Sequence, residues 1–321
     1  MKTRQLGSNG PELSVVGYGA WEAGGTNWGP NESDEAVIAA MRAALDAGID
    51  WIDTAEVYGD GESERLVGRA VADRRDEVTI ASKVAPSDEG SGFLPDQIVA
   101  ACDRSLARLG TDRLDLYQLH WPDPTGVPVE DSWGAMAELQ DAGKVEWIGV
   151  SNFPQEMIER CEAIRHVDSL QPEFSMLVRV RADTIAWCGD HGTGVISYGP
   201  LAFGLLTGAI GLDTAFPPGD WRAPSDEPAE PEDPDDVDLF APDRLPGALE
   251  AVAAIGKVAE RLGVTTAQLA LAWNVAQPGV TSAIAGSRNP NHVRSNAAAG
   301  DVGLDDATLA ELDTLLNDAG F

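Results

Sequence analysis

Short apolar segments alternate with helical patterns along almost the whole chain, and this alternation constrains the fold more than any other feature. Eight of these segments are predicted to be β-strands, at Val15–Tyr18, Trp51–Asp53, Val78–Lys83, Leu114–Leu119, Trp147–Val150, Leu170–Glu173, Val195–Tyr198 and Ser282–Ala285. Helices are predicted between and after them, at Asp34–Ala47, Glu62–Val71, Pro95–Leu109, Val129–Ala142, Gln155–Arg165, Asp183–His191, Pro246–Leu262, Thr265–Ala276, Asn291–Ala299 and Asp305–Asn317. Eight strand–helix units favour a (β/α)8 TIM barrel. A doubly wound sheet, the alternative, usually has a G-x-G-x-x-G turn after its first strand, and the stretch "VGYGAWEAGG" lacks that spacing.

Three features lie outside the regular alternation. An N-terminal β-hairpin is predicted before the barrel, because the turn dipeptide Asn9-Gly10 separates two short strand-like runs. Two extra helices follow the last strand near the C-terminus. The segment Pro224–Asp238 contains eight acidic residues and four prolines without a basic residue, which predicts an extended, solvated loop. Its position after the seventh strand makes it a candidate lid, and residues 1–321 are together predicted to form one domain.

The charge of the chain is strongly one-sided. The formal net charge is −31, from 53 acidic and 22 basic residues. Nucleic acids and anionic membrane surfaces require basic patches, so neither is expected as a partner. Salt shortens the reach of self-repulsion to about 3 Å at 1 M ionic strength, and the composition is typical of halophilic proteins. An ordinary acidic protein is the alternative.

The sequence also predicts a cytoplasmic protein. It lacks a run of the ~18 apolar residues that a membrane span needs, and "MKTRQLGSNG" lacks the apolar core of a signal peptide. Cys102, Cys161 and Cys188 are far apart and each falls within a predicted helix. We therefore expect buried thiols and neither a disulfide nor a metal site.

Six consecutive predicted strands end in or run into polar residues. They carry Asp53, Lys83, His120, Ser151 with Asn152, Gln171 and Tyr198. Because the active site of a TIM barrel lies at the C-terminal ends of its strands, these side chains are expected to meet at one mouth. Each has a structural explanation when taken singly, since Asp53 and Lys83 could form only a buried ion pair. Taken together, they predict a site of catalysis.

The chemistry that fits these groups is proton and hydride transfer at a carbonyl. Tyr58 follows the strand that ends in Asp53, and its phenol has an ordinary pKa near ~10. A neighbouring ammonium, Lys83, is expected to lower that pKa towards neutrality, and Asp53 to keep the lysine charged and oriented. The imidazole of His120 could polarise the carbonyl oxygen. No His/Cys/Asp cluster has the spacing of metal ligands.

Beyond these residues, the sequence resembles the aldo-keto reductase family. The stretches "DTAEVYGDGESERLVG", "ASKV", "LYQLHWP", "GKVEWIGVSNF", "LQPEFS", "ISYGPLAFGLLTG" and "AGSRNPNHVRSN" occur in the family's order over essentially the whole chain. The resemblance implies a monomer-sized barrel that binds a nicotinamide dinucleotide without a Rossmann domain. It also implies a catalytic tetrad of Asp53, Tyr58, Lys83 and His120, with Tyr58 donating the proton.

The resemblance further implies positions for the cofactor. Tyr198 would stack on the nicotinamide ring, and Ser151, Asn152 and Gln171 would bind its carboxamide. Backbone around Leu201–Gly204 would approach the pyrophosphate. The adenosine end would meet Gly286, Ser287, Arg288, His292 and Asn296. Gly286 stands where many members have lysine and His292 where many have arginine, but Arg288 offers a guanidinium to a phosphate. NADP is therefore favoured, and NAD remains open.

The family resemblance extends to a substrate pocket, which it places at Trp21 and Trp121. The family reduces aldehydes, ketones and sugars, and the aromatic residues do not select among them. The predicted function is an NADP-dependent reductase that acts by hydride transfer on such a carbonyl. The alternatives are oxidation of a sugar or alcohol in the reverse direction, and a non-catalytic cofactor-binding module like potassium-channel β subunits. The oligomeric state is left open by the sequence.

Overall fold

The computed structural model describes residues 1–223 and 237–321. Within those ranges, eight parallel strands form a closed barrel. In chain order they are β3 (Val16–Gly19), β4 (Trp51–Asp53), β5 (Thr79–Val84), β6 (Leu114–Leu119), β7 (Val145–Ser151), β8 (Ser169–Gln171), β9 (Gly194–Ser197) and β10 (Val280–Ile284). Each pairs with its neighbour in the chain, and β10 pairs with β3 to close the ring. The predicted (β/α)8 TIM barrel is confirmed.

Helices pack around the outside of the barrel. Their bounds are α1 (Asp34–Asp46), α2 (Glu62–Val71), α3 (Pro95–Leu109), α4 (Val129–Asp141), α5 (Gln155–Glu162), α6 (Ala182–His191), α7 (Leu245–Leu262), α8 (Thr266–Ala276), α9 (Pro290–Ala298) and α10 (Asp306–Asp318). The predicted helices differ from these by a few residues at their ends. Short 3-10 helices at Glu22–Gly24, Arg75–Glu77, Ala202–Thr207 and Ala299–Asp301 are additional to the sequence-based assignment.

The predicted N-terminal hairpin is confirmed, but its turn is not formed as expected. β1 (Thr3–Gln5) pairs antiparallel with β2 (Glu12–Ser14), and a six-residue loop joins them. The residue with left-handed backbone in that loop is Gly7, at φ 59°, and not Asn9 or Gly10. A side chain at Gly7 would collide with the backbone at Gly192–Gly194, because the loop packs closely against the entry to β9. Tertiary contact therefore overrides the local turn signal.

The barrel interior is filled by a core separate from the one beneath the helices. It contains Leu6, Leu13, Trp51, Ala81, Leu116, Ile196 and Ile284. Leu6 and Leu13 come from the hairpin region, so the hairpin fills the N-terminal end of the barrel. The Trp51 indole donates to Ser14 O at 3.2 Å and lies 3.1 Å from Ser282 Oγ, which satisfies its buried N–H. The opposite, C-terminal end is left for polar groups.

The acidic loop predicted at 224–238 and proposed as a lid falls mostly on residues 224–236, which lie outside the described residues. None of the helices in the two described ranges is long and apolar enough to cross a membrane.

Cys102, Cys161 and Cys188 are buried, free and each within a helix, as predicted. Burial raises the pKa of each thiol to about 12, so all three are poor nucleophiles.

Candidate active site

A buried ion pair lies at the C-terminal mouth of the barrel. Asp53 ends β4 and Lys83 lies on the adjacent strand β5, so the strand register brings the two together. Lys83 Nζ donates to Asp53 Oδ2 at 2.7 Å and to Thr54 O at 2.9 Å. Its third contact is Tyr58 Oη at 3.2 Å, and Nζ lies 5.0 Å from the Tyr58 ring centre. Three of the four predicted catalytic residues are thus in direct contact.

The protonation of this cluster differs from the sequence-based expectation. Burial lowers the pKa of Lys83, against the opposing effect of Asp53 and Glu64. Burial raises the pKa of Tyr58 well above its ordinary value, and the Asp53 carboxylate adds to the rise. The expected lowering of the Tyr58 pKa by Lys83 is therefore not found, because desolvation is the largest influence on this buried phenol. The phenol is protonated at neutral pH, which is the state that a proton donor requires.

His120 follows β6 and lies beside Tyr58. The two ring centres are 5.7 Å apart in an edge-to-face arrangement, and the imidazole stacks on Trp121 at 3.6 Å. Burial and the Lys83 charge lower the pKa of His120 well below its ordinary value, so the ring is neutral. Its Nδ1 is buried and makes no hydrogen bond to any described residue. A neutral imidazole here can hydrogen-bond a carbonyl oxygen placed between it and the phenol.

The four residues that the family resemblance placed at the nicotinamide lie at the C-terminal ends of β7, β8 and β9 or directly after them. Tyr198 Oη donates to Asn152 Oδ1 at 3.1 Å, and Asn152 adopts a left-handed backbone at φ 62°. Ser151 Oγ donates to Gln171 O at 2.8 Å. The Gln171 amide donates to Asp53 Oδ1 at 2.8 Å, a contact that the sequence did not predict. This contact joins the two predicted groups of residues.

The segment after β9 has an unusual backbone. Ala202, Phe203 and Gly204 all have positive φ, at 46°, 52° and 107°. Two of these are not glycine, so the surrounding structure must hold a conformation that is disfavoured locally. Arg222 Nη1 donates to Phe203 O at 2.9 Å and helps to stabilise this conformation. Successive backbone N–H groups in such conformations form concave anion-binding sites, which suits the predicted pyrophosphate position.

Gly286 and Ser287 connect β10 to α9. A Cβ at Gly286 would lie 2.3 Å from Gly19 O, so only glycine fits the close approach of the two strand ends. Ser287 Oγ lies 3.5 Å from His292 Nδ1, in the first turn of α9, and His292 is exposed. Asn296, two turns into the same helix, is buried. Gly286, Ser287 and His292 therefore lie at the N-terminal end of α9, and Asn296 lies further along the same helix.

Arg288 has contacts that the sequence did not suggest. Its guanidinium donates to the β3–α1 loop, at Trp28 O (2.8 Å), Gly29 O (3.0 Å), Pro30 O (3.1 Å) and Asn31 Oδ1 (3.2 Å). These bonds use Nη1 and one N–H of Nη2. Glu22 Oε2 lies 4.0 Å from Nε, on the other edge of the guanidinium. Arg288 thus ties the loop to the β10–α9 turn, and only that second edge remains for a phosphate.

Aromatic side chains surround the mouth above Tyr58. Trp21, predicted for the pocket, lies 6.2 Å from Tyr58 between ring centres and packs edge to face on Trp28 at 5.1 Å. Trp221, which is exposed, stacks over Trp21 at 6.2 Å. Arg222 lies 4.5 Å from the Trp28 ring, which places a cation within the aromatic cluster. Trp28 and Trp221 could be placed near the mouth from the sequence, as aromatic residues in loops that follow strands, whereas no sequence signal pointed to Arg222.

The arrangement supplies a neutral phenol, a buried ammonium and a neutral imidazole around one opening. These are groups for proton transfer to a carbonyl oxygen, with an ammonium to stabilise the phenolate left behind. In the described ranges, no group of three or more His, Cys, Asp or Glu residues could hold a metal ion.

Comparison with known proteins gives one consistent result. The model of the "Aldo/keto reductase family" matches residues 15–317. Aldo-keto reductase YhdN of Bacillus subtilis is 36% identical over 303 residues, covering 92% of this chain and 87% of the relative. The solved glycerol dehydrogenase of Gluconobacter oxydans is 31% identical with a TM-score of 0.83, covering 99% of this chain and 95% of that one. An aldo/keto reductase of Klebsiella pneumoniae, solved with NADP and acetate, is 31% identical with a TM-score of 0.74, covering 98% and 96%.

Proposed function

The chain belongs to the aldo/keto reductase family and is an oxidoreductase, and from this premise we propose that it reduces an aldehyde, ketone or sugar carbonyl with NADPH. The observation that carries the proposal is the hydrogen bond between Lys83 Nζ and Tyr58 Oη, within the buried pair of Lys83 and Asp53. A buried ion pair with only a structural role would not require a phenol at the third N–H of its lysine.

Tyr58 is the general acid in this proposal. Its raised pKa keeps the phenol protonated until a carbonyl oxygen gains negative charge beside it. Lys83 then stabilises the phenolate, and Asp53 keeps the ammonium charged and oriented. Neutral His120 hydrogen-bonds the carbonyl oxygen and orients the carbon for attack. NADPH, when bound, supplies the hydride.

The residues present fit such a cofactor. Tyr198 would stack on the nicotinamide, and Ser151, Asn152 and Gln171 would bind its carboxamide. The backbone of Leu201–Gly204 would take the pyrophosphate, supported by its consecutive left-handed residues. Gly286, Ser287, His292 and Asn296 would line the adenosine end.

Arg288 is the proposed partner of the 2′-phosphate of NADPH. The guanidinium is already bound to the loop 28–31 by one edge, so the phosphate would use the edge that faces Glu22. The Glu22 carboxylate opposes an anion there, whereas the positive charge of Arg288 favours it. We propose that NADPH is preferred on balance and that NADH also binds.

Oxidation of an alcohol or sugar is the second candidate. The specific observation in its favour is the similarity to a glycerol dehydrogenase, with a TM-score of 0.83. The same groups serve this direction by microscopic reversibility, with Tyr58 accepting the proton. Trp21 and Trp121, with Trp28 and Trp221, would line the pocket for either substrate.

We further propose that residues 1–321 form one domain, and that the protein works in a salty cytoplasm. The net charge of −31 supports the second statement, because high salt screens repulsion among acidic side chains. The segment 224–238 contributes eight of the acidic residues to that charge. No nucleic acid or membrane partner is proposed.

A substrate screen tests the function directly. Purified protein is offered aldehydes, ketones and sugars with NADPH or NADH, and polyols with NADP or NAD, at low and at molar KCl. We expect carbonyl reduction that is faster with NADPH, measured by loss of cofactor absorbance. Tight NADPH binding without turnover of any carbonyl or alcohol would instead favour a cofactor-binding module.

A further inference from the structure

The Asp53 carboxylate is held through both of its oxygen atoms. Lys83 Nζ donates to Oδ2 at 2.7 Å, and Gln171 Nε2 donates to Oδ1 at 2.8 Å. Asp53, Lys83 and Gln171 are exposed by only 3%, 0% and 2%. A buried carboxylate that is bonded at both oxygens cannot turn without losing a charge-assisted hydrogen bond. Its orientation is therefore set by Gln171 as well as by Lys83.

The Lys83 ammonium is equally constrained. It has three N–H donors, and the structure provides three acceptors: Asp53 Oδ2, Thr54 O and Tyr58 Oη. The bond to Tyr58 is the longest of the three, at 3.2 Å. If the Asp53 carboxylate turned, the ammonium would follow its anionic partner, and the weakest contact, to Tyr58, would be lost first.

The Gln171 side chain is anchored by a rigid main chain. The main-chain carbonyl oxygen of Gln171 accepts from Ser151 Oγ at 2.8 Å and from Asn152 N at 3.1 Å. It lies in register with Ser151 at the end of the β7–β8 pair. The main chain thus holds the Gln171 side-chain amide where it can orient the Asp53 carboxylate.

We propose that Gln171 is a positioning residue for the proton donor: its amide fixes the Asp53 carboxylate so that Lys83 directs one N–H to Tyr58. The inference rests on the proposed role of Tyr58 as general acid. It is separate from the cofactor contact proposed for Gln171, which would use the second N–H and the carbonyl oxygen of the same amide.

The test begins with Gln171→Met, which removes the donor and keeps a side chain of similar length. At saturating NADPH, we expect kcat to fall by about tenfold or more, as for a lost hydrogen bond to a charged group. The alkaline limb of the pH profile of kcat should move to higher pH, because Lys83 stabilises the phenolate less. Fluorescence titration measures NADPH affinity separately.

Gln118→Met is the matched control. Gln118 is a buried glutamine of β6 whose amide oxygen accepts from Ser169 Oγ, and it makes no described hydrogen bond to Asp53, Lys83 or Tyr58. Its substitution should leave the alkaline limb in place. Circular dichroism and thermal unfolding confirm that each variant is folded.

Gln171→Glu provides a second variant in case the methionine does not pack. The new carboxyl can donate to Asp53 only when it is protonated, so kcat relative to the wild type should rise as the pH is lowered. Gln171→Met should show no such recovery. Absence of recovery in a folded Gln171→Glu protein counts against the proposal.

A double-mutant cycle with Asp53→Asn completes the test. If Gln171 acts through Asp53, adding Gln171→Met to Asp53→Asn should lower kcat little further. Additive losses in kcat, or an effect confined to NADPH affinity, would overturn the positioning role and leave the proposed function standing. Full turnover in Tyr58→Phe would refute the proposed function itself, and the inference with it.

Discussion

Replacing Tyr58 by phenylalanine removes one oxygen atom from the centre of the candidate site. The ring keeps its contacts with Trp21 and His120, at 6.2 and 5.7 Å between centres. Lys83 retains Asp53 and Thr54 as acceptors and loses only the third, at 3.2 Å. Because one N–H of a buried ammonium is left without an acceptor, we expect the free energy of unfolding to fall by about 1–3 kcal/mol. The variant should fold and bind NADPH.

The effect on turnover follows from the groups that remain. His120 is neutral because burial and the Lys83 charge lower its pKa well below its ordinary value, so it is a poor substitute acid. The Lys83 ammonium is held by Asp53. Loss of a positioned general acid lowers rates by about 10²–10⁴-fold, or about 2.7–5.4 kcal/mol in the activation barrier. We expect the loss to lie in the upper part of that range.

The measurement is steady-state turnover of an accepted aldehyde at saturating NADPH, beside fluorescence titration of NADPH. Tyr117→Phe is a suitable control, since Tyr117 is a buried tyrosine of β6 that packs in the core beneath the helices. The control should keep its turnover. Unchanged turnover in Tyr58→Phe would refute the assignment of the proton donor.

Three further predictions follow from charge. Arg288→Ala should weaken the binding of NADPH by about one to two decades in affinity, measured by titration, and should weaken the binding of NADH less. The variant should also have a lower melting temperature, because the loop 28–31 loses its hydrogen-bond donor. Equal losses of affinity for the two cofactors would contradict the phosphate contact. With a net charge of −31, the melting temperature should rise between low and molar KCl, and a flat response would count against salt adaptation. The pKa of His120 is depressed in the folded protein, so below the ordinary histidine pKa of ~6.5 the unfolded chain binds more protons than the folded one. The free energy of unfolding should therefore fall by up to about 1.4 kcal/mol for each unit by which the pH is lowered in that range. Denaturant unfolding of His120→Gln should show a smaller fall than the wild type, even though His166, with a raised pKa, contributes in the opposite sense to both proteins.

The positions at the barrel mouth could be predicted because they depend on topology. Once parallel strands close into a barrel, the residue that ends each strand must lie at the mouth, whatever its neighbours are. Asp53, Lys83 and His120 were found in this way. The strand ends tolerate errors of one or two residues, so imprecise boundaries did not affect the result.

Contacts that depend on side-chain direction could not be predicted. The bond from Gln171 to Asp53 crosses the barrel between strands that are not adjacent, and no local pattern marks it. Arg288 was expected to face a ligand, but backbone carbonyl groups 258–260 residues earlier in the chain accept its hydrogen bonds. The direction of the Tyr58 pKa shift depends on how deeply the phenol is buried and on the Asp53 carboxylate, and burial is known only from the packed structure.

The close approach of Gly286 to Gly19 limits how the cofactor preference of this enzyme can be engineered. Transplanting the lysine that many members carry at this position would place its Cβ 2.3 Å from Gly19 O. The two residues adjoin the seam between β10 and β3 that closes the barrel, so the new side chain would force that seam apart before its ammonium reached a phosphate. Redesign is better directed to His292, which is exposed on α9 and where an arginine can be introduced without moving a strand.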